Sequence, residues 1–339
     1  MKTITLIKFA LLAALPLAVP AQAANKVIFG ADDRVEAYAV PERYRAAADS
    51  TVSLWRKETM RLDTSLGAYS LFTVELGKAN NLCPGAKFSE QAAGAFCSGA
   101  LVGEDLVITA GHCVRTAEDC ARTAFVFGFA IDSEGGKANT LIDSGEVYGC
   151  AQIIKRDFTN YTVTTDEQPF NINGPDYALI KLDHKVTGHK PLAINRTGGT
   201  KKGDPLFITG HPMSLPLKFA GNASVVRFVN PERAYFHTDL DAMGGNSGSP
   251  VFNADTGLIE GIHVRSETHH LLPTFEGCNV YTVRPDGVGR GGEATKISFL
   301  ADYIPPTPEE TASQTGAETA LAQLRAGVPP LGKTVSFGR

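Results

Sequence analysis

A chain of 339 residues with 43% hydrophobic residues, 34 glycines and a net charge of −4 has globular composition. It is long enough for one large all-β domain or two small ones. The charge balance gives no basic excess of the kind that binds nucleic acid, and no apolar run beyond the first two dozen residues is long enough to span a bilayer.

The N-terminus reads differently from the rest. Lys2 and Lys8 precede the apolar stretch Phe9-Ala10-Leu11-Leu12-Ala13-Ala14-Leu15, and Ala21-Gln22-Ala23 fits a small-x-small cleavage site. Residues 1–23 read as a secretory signal peptide, which places the mature chain outside the cell or in a periplasm. A membrane anchor fits less well, because the apolar core is short and interrupted by Pro16 and Pro20. In an oxidising compartment the six cysteines, Cys83, Cys97, Cys113, Cys120, Cys150 and Cys278, point to disulfides. No pair has Cys-x-x-Cys spacing, so zinc is not expected.

Residues 24–69 read as an N-terminal segment or short pro-region, with a weakly amphipathic helical pattern from Pro41 to Met60. Residues 70–304 carry short apolar runs between Gly, Pro, Asn and Asp clusters. Strands are expected at Ala100–Val102, Leu106–Thr109, Ala124–Phe127, Ala178–Leu182, Leu206–Thr209, Ser224–Val229 and Leu258–Ile262. Many short strands argue for β-barrels or a sandwich. Arg156 to Pro175 reads as a polar, strand-poor loop. Residues 305–339 shift to Pro, Thr, Glu, Ala and Gln, a low-complexity tail with a marginal helix over Glu309–Leu324.

Three segments carry chemistry, in this order: Thr109-Ala110-Gly111-His112-Cys113, Asp176-Tyr177-Ala178-Leu179, and Gly244-Gly245-Asn246-Ser247-Gly248-Ser249-Pro250. A serine hydroxyl is a poor nucleophile at neutral pH. It needs an imidazole to take its proton and a buried carboxylate to hold that imidazole in the right tautomer. His112, Asp176 and Ser247 supply these groups. The glycines around Ser247 permit a tight turn that aims the amides of Gly245 and Ser247 at one point, an oxyanion hole. Asp157 and Asp183 compete for the carboxylate role, but neither opens an apolar strand; Ser249 is the competing hydroxyl. The order His, Asp, Ser is that of chymotrypsin-type enzymes. An esterase of another fold would need a Gly-x-Ser-x-Gly elbow and the order Ser, Asp, His. Adjacent His269 and His270 point apart on a strand, so they suggest no metal site; no metal and no cofactor is expected.

From about Val27 to Leu300 the chain resembles the bacterial trypsin-like serine peptidases, and within them the glutamyl endopeptidase branch. The resemblance is carried by the His112 and Asp176 segments, by Gly244–Phe252, by Gly261-Ile262-His263, and by Val27-Ile28-Phe29-Gly30-Ala31-Asp32-Asp33-Arg34. It implies two six-stranded antiparallel β-barrels, chymotrypsin-like, with the triad in the cleft between them. It implies a secreted serine endopeptidase acting on protein or peptide substrates. It also implies a disulfide Cys97–Cys113 bracketing the histidine. Cys120–Cys150 is expected across neighbouring strands of the first barrel, and Cys83–Cys278 is the remaining pair. The chain has Gly111 where the family usually has alanine. It has Asn246 where animal trypsin-type enzymes carry an aspartate that binds a newly cut N-terminus, so that activation switch is not expected.

The resemblance gives two conflicting signals for the substrate pocket. Asp241 stands six residues before Ser247, where trypsin-like enzymes place the carboxylate that pairs with Arg or Lys. His263 stands where glutamyl endopeptidases place a histidine that binds a substrate carboxylate. Ala242 replaces the hydroxyl residue those enzymes usually carry, and Arg265 is placed to neutralise Asp241. Val27, exposed by a cut after Lys26, would supply the terminal amine that the family uses near the pocket. The balance falls to cleavage after Glu, with Asp241 turned away; cleavage after Arg or Lys, or a non-catalytic binding protein of the same fold, are the alternatives.

Overall fold

The computed structural model describes residues 28–163, 170–227, 234–266, 271–285, 291–308 and 310–311. Residues 1–23, read above as a signal peptide, Lys26, Val27, His269, His270 and nearly all of residues 305–339 lie outside the described residues.

Six antiparallel strands close the first barrel, in the order Thr123–Val126, Val147–Val163, Phe170–Leu182, Leu106–Thr109, Cys97–Gly103 and Thr51–Arg56, which pairs back to Thr123–Val126. The second barrel runs Pro205–Gly210, Pro250–Asn253, Ile259–Arg265, Gly292–Lys296, Tyr235–Thr238 and Lys218–Arg227. It closes where Lys218–Arg227 pairs with Pro205–Gly210. Both are all-β and antiparallel, the chymotrypsin-like architecture.

Each barrel is filled by the inward-facing residues of its strands. Leu54, Leu101, Val107, Ile108, Phe125, Leu179 and Ile180 are fully buried on the first barrel's strands, on the inner face or under the packing outside it. Phe236, Val251, Leu206 and Ala294 fill the second. The apolar core also runs between the barrels, where Phe207 stacks on Phe252 at 4.5 Å and meets Tyr44 at 4.1 Å.

Three expectations are corrected here. The polar stretch Arg156–Pro175 is not a strand-poor loop: the Val147–Val163 and Phe170–Leu182 strands run through it as a long hairpin, with Phe158 opposite Asp176. The apolar alternation that marks a half-buried strand is weak there, while Thr, Tyr and Phe favour the pleated backbone. Pro41–Met60 holds only a five-residue α-helix, Arg45–Asp49; Thr51–Arg56 is a barrel strand, so the barrels begin upstream of residue 70. Val35–Glu36 also pairs onto the second barrel. Finally, the start of the tail is anchored. Arg196 binds the carbonyls of Ala301 and Ile304 at 2.7 and 2.9 Å and the Glu310 carboxylate at 3.1 Å, and Thr307 is buried.

The three disulfides are Cys97–Cys113, Cys120–Cys150 and Cys83–Cys278, the pairs expected above. The last ties the Leu271–Pro273/Asn279–Tyr281 hairpin to the segment after the short helix Leu76–Asn80. Among the described residues no helix is long and apolar enough to cross a membrane.

Candidate active site

His112 sits in the turn that follows the Leu106–Thr109 strand, and Asp176 lies in the adjacent Phe170–Leu182 strand. Gly111 lets the Val147–Val163 strand approach the His112 turn. A Cβ at this position would collide with the carbonyl oxygen of Asp157, so the hairpin strand packs where the family's usual alanine methyl would stand.

Asp176 is fully buried and holds His112 twice. Its Oδ1 accepts the His112 main-chain N–H at 3.1 Å, and its Oδ2 lies 2.7 Å from Nδ1. An ionised carboxylate only accepts, so Nδ1 carries the hydrogen and Nε2 is left with its lone pair. The Asp176 amide in turn donates to Thr295 Oγ1 of the second barrel at 3.2 Å. The main chain at Asp176 is thereby tied to the second barrel.

Ser247 lies on the loop before the Pro250–Asn253 strand. Its carbonyl accepts from the Ser98 amide at 2.8 Å and lies 3.7 Å from Cys113 Sγ, one residue beyond His112. The Ser247 hydroxyl has no hydrogen-bond partner among the described residues, so no bond closes between it and His112 Nε2. Such contacts are often long before substrate binds. Ser249 differs: it is fully buried and bonds Asn246 Oδ1 at 3.3 Å, a packing role. Gly245 has φ 94°, a left-handed conformation, and a Cβ there would meet the His211 carbonyl. Ser98 Oγ donates to the Gly245 carbonyl at 2.8 Å, which pins the loop while the amides of Gly245 and Ser247 remain without acceptors among the described residues.

The pocket residues resolve differently from one another. Asp241 clasps the N-terminal segment. Its Oδ1 accepts the Phe29 amide at 2.6 Å and its Oδ2 the Asp33 amide at 3.2 Å. Burial pushes its carboxyl up to about 8, with the Asp33 carboxylate adding to the rise and the two amides opposing it. Arg265 does not neutralise it. That guanidinium lies 3.3 Å from Glu293 Oε2 and 3.7 Å from Asp176 Oδ2, beneath the His–Asp pair. A bulge between His263 and Arg265 breaks the two-residue alternation and re-aims Arg265. His263 is buried. Its main chain pairs with the Ser247 loop, to Gly248 at 2.7 Å and Ser249 at 2.9 Å. Its Nε2 lies 2.9 Å from Ser266 Oγ, which donates to the Ala242 carbonyl at 3.0 Å. Nε2 therefore carries the hydrogen. Ala242 is buried and contributes that carbonyl in place of a side-chain hydroxyl.

Sequence reasoning missed Thr295 and Ser98, whose hydroxyls lie 119 and 147 residues from the groups they hold, and Ser266, three residues beyond His263. The ligand atoms of Cys97, Cys113 and His112 lie within 4.8 Å of one another, but both sulfurs are spent in the disulfide and offer no thiolate.

The Asp241 clasp sets a pH dependence. A carboxyl that binds its proton more tightly folded than unfolded contributes stability fully present below its ordinary value of 3.8. That contribution is lost as pH rises through about 8. Asp241→Asn removes the titrating group and keeps one of the two acceptors, for the amide of Phe29 or of Asp33. Melting temperatures from pH 5 to 9 are expected to fall more steeply for the parent than for Asp241→Asn; parallel curves would contradict the assignment.

Residues 97–262 match the model of the trypsin-like peptidase domain. A secreted RxLR effector protein 73 of Plasmopara viticola is 24% identical over 243 residues, covering 67% of this chain and 55% of that protein. A glutamyl endopeptidase of Staphylococcus epidermidis is 27% identical over 168 residues, covering 49% of this chain and 52% of that protein. The chain thus spans about half the length of these curated relatives. A solved Glu endopeptidase structure overlaps 82% of this chain and 97% of its own at 15% identity, with a TM-score of 0.43. Residues 97–262, which hold His112, Asp176 and Ser247, match a trypsin-like peptidase domain, and glutamyl endopeptidases are among the relatives of the chain.

Proposed function

We propose that the chain is an exported serine endopeptidase that cuts peptide bonds through an acyl-enzyme on Ser247. The observation that carries this reading is the 2.7 Å contact between His112 Nδ1 and buried Asp176, beside a loop whose Gly245 and Ser247 amides have no acceptor among the described residues. His112 Nε2 takes the Ser247 proton as the hydroxyl attacks the scissile carbonyl. The two amides receive the oxyanion, and the protonated histidine then hands its proton to the leaving amine. Water attacks the acyl group by the same route in reverse. The three disulfides suit an oxidising compartment and support export.

For the residue before the cut we propose glutamate. A buried carboxylate at the pocket floor would favour Arg or Lys, but Asp241 is occupied by the N-terminal segment. His263 lies behind the nucleophile loop with a hydrogen on Nε2, and a substrate carboxylate takes that donor in place of the Ser266 hydroxyl. Profiling the purified protein on a peptide library tests this. Cuts after Glu are expected to dominate; cuts after Arg and Lys would overturn it.

A further inference from the structure

On the first-barrel side of His112, two arginine side chains gather around the ring of Phe158. Phe158, 38% exposed, lies with its ring centre 5.9 Å from the His112 imidazole. The guanidinium carbons of Arg115 and Arg156 lie 5.7 and 5.9 Å from the same ring, within the range of a cation–π contact. Both arginines are held by their inner nitrogens. Arg156 Nε donates to the Gly111 carbonyl at 2.7 Å, and Arg115 Nε donates to the His112 carbonyl at 3.1 Å.

That anchoring leaves the outer, forked ends of both guanidiniums without a carboxylate among the described residues. The nearby acids are engaged elsewhere. Asp119 accepts the Arg115 main-chain amide at 3.0 Å and lies 3.9 Å from Arg56. Asp157 accepts from Thr159, and strand alternation sends it to the face opposite Arg156 and Phe158. The fields of the two cations add at the Phe158 ring. The ligand that suits this field is a carboxylate, which the planar forks accept in parallel pairs of hydrogen bonds.

We propose that Arg115, Arg156 and Phe158 form a second acidic subsite, taking a Glu or Asp side chain of the substrate near, but not at, the residue bound by His263. This rests on the peptidase reading above. The scissile bond must lie at His112 Nε2, and an extended peptide advances about 3.3 Å per residue. A ring 5.9 Å from the imidazole therefore faces a side chain within about two residues of the cut. Preferred substrates carry two acidic residues close together, and the methylene stem of the second rests on Phe158.

The test walks a single Glu, against Gln, through the positions flanking a fixed cleavage site. The parent is expected to show a Glu/Gln ratio in kcat/KM of about tenfold at one such position, the scale of a charge-assisted pair. The doubly substituted Arg115→Gln/Arg156→Gln protein should bring the ratio near one. Arg115→Lys/Arg156→Lys should retain most of it, because the charges remain. The ratio cancels any general loss of turnover caused by disturbing the His112 turn. A parent ratio near one at every position, or a ratio unchanged in the Gln protein, overturns the proposal.

Fluorescence anisotropy with Ser247→Ala reads the same pair of labelled peptides without turnover. Tighter binding of the Glu peptide that weakens with added salt and is lost on adding Arg115→Gln/Arg156→Gln supports the subsite, even if the parent cuts nothing. In that case the peptidase reading alone fails. Equal binding of the two peptides overturns the subsite.

Discussion

Replacing Ser247 with alanine is expected to lower kcat by about a millionfold, the scale seen when a serine nucleophile is removed from a working triad. The hydroxyl makes no hydrogen bond among the described residues, so its loss orphans no partner. The bonds that shape the loop are main-chain ones or come from Ser98: the Ser98 amide to the Ser247 carbonyl, Gly248 to His263, and Ser98 Oγ to the Gly245 carbonyl. All survive the change. Steady-state kinetics and a melting curve check this together. A Ser247→Ala protein that retains more than about a hundredth of parental turnover would show that another group attacks the substrate, whereas residual activity over water from the oxyanion hole is expected.

Asp176→Asn comes second, with an expected loss in kcat of about ten thousandfold. The carboxylate accepts from two donors of His112, its main-chain amide and Nδ1. An amide side chain cannot accept at both positions. If its NH2 faces Nδ1, the ring must present a lone pair there and carry its hydrogen on Nε2, which can then no longer take the serine proton. The neighbouring Arg265 guanidinium, 3.7 Å from Oδ2, also loses a charge partner but keeps Glu293. Turnover should fall while substrate binding changes little. A loss smaller than about tenfold would mean that Asp176 does not set the tautomer.

The candidate triad could be proposed from the sequence because each member sits in a short contiguous segment whose neighbours also carry information. His112 follows an apolar strand, Asp176 opens one, and Ser247 is ringed by glycines. The structure brings His112 and Asp176 into contact and sets Ser247 beside the disulfide that follows His112. The barrels were legible from the short apolar runs that fill them.

What could not be read depends on pairing at long range or on local irregularity. Asp241 looked like a pocket residue because its spacing from Ser247 is fixed by the chain. Its partners, the amides of Phe29 and Asp33, come from more than two hundred residues away. Arg265 was misplaced because one bulge moves a side chain off the face that alternation assigns it. The long hairpin around Phe158 was hidden because polar strands lack the apolar alternation that betrays a strand.

The central claim is that His112 makes Ser247 a nucleophile. Treating the folded protein with a fluorophosphonate and mapping the adduct by mass spectrometry tests this most directly, since such reagents phosphonylate an activated serine. The account predicts a single adduct on Ser247, formed in the parent and lost in His112→Ala. An unmodified Ser247, an adduct on Ser249, or labelling of equal extent in His112→Ala would contradict it.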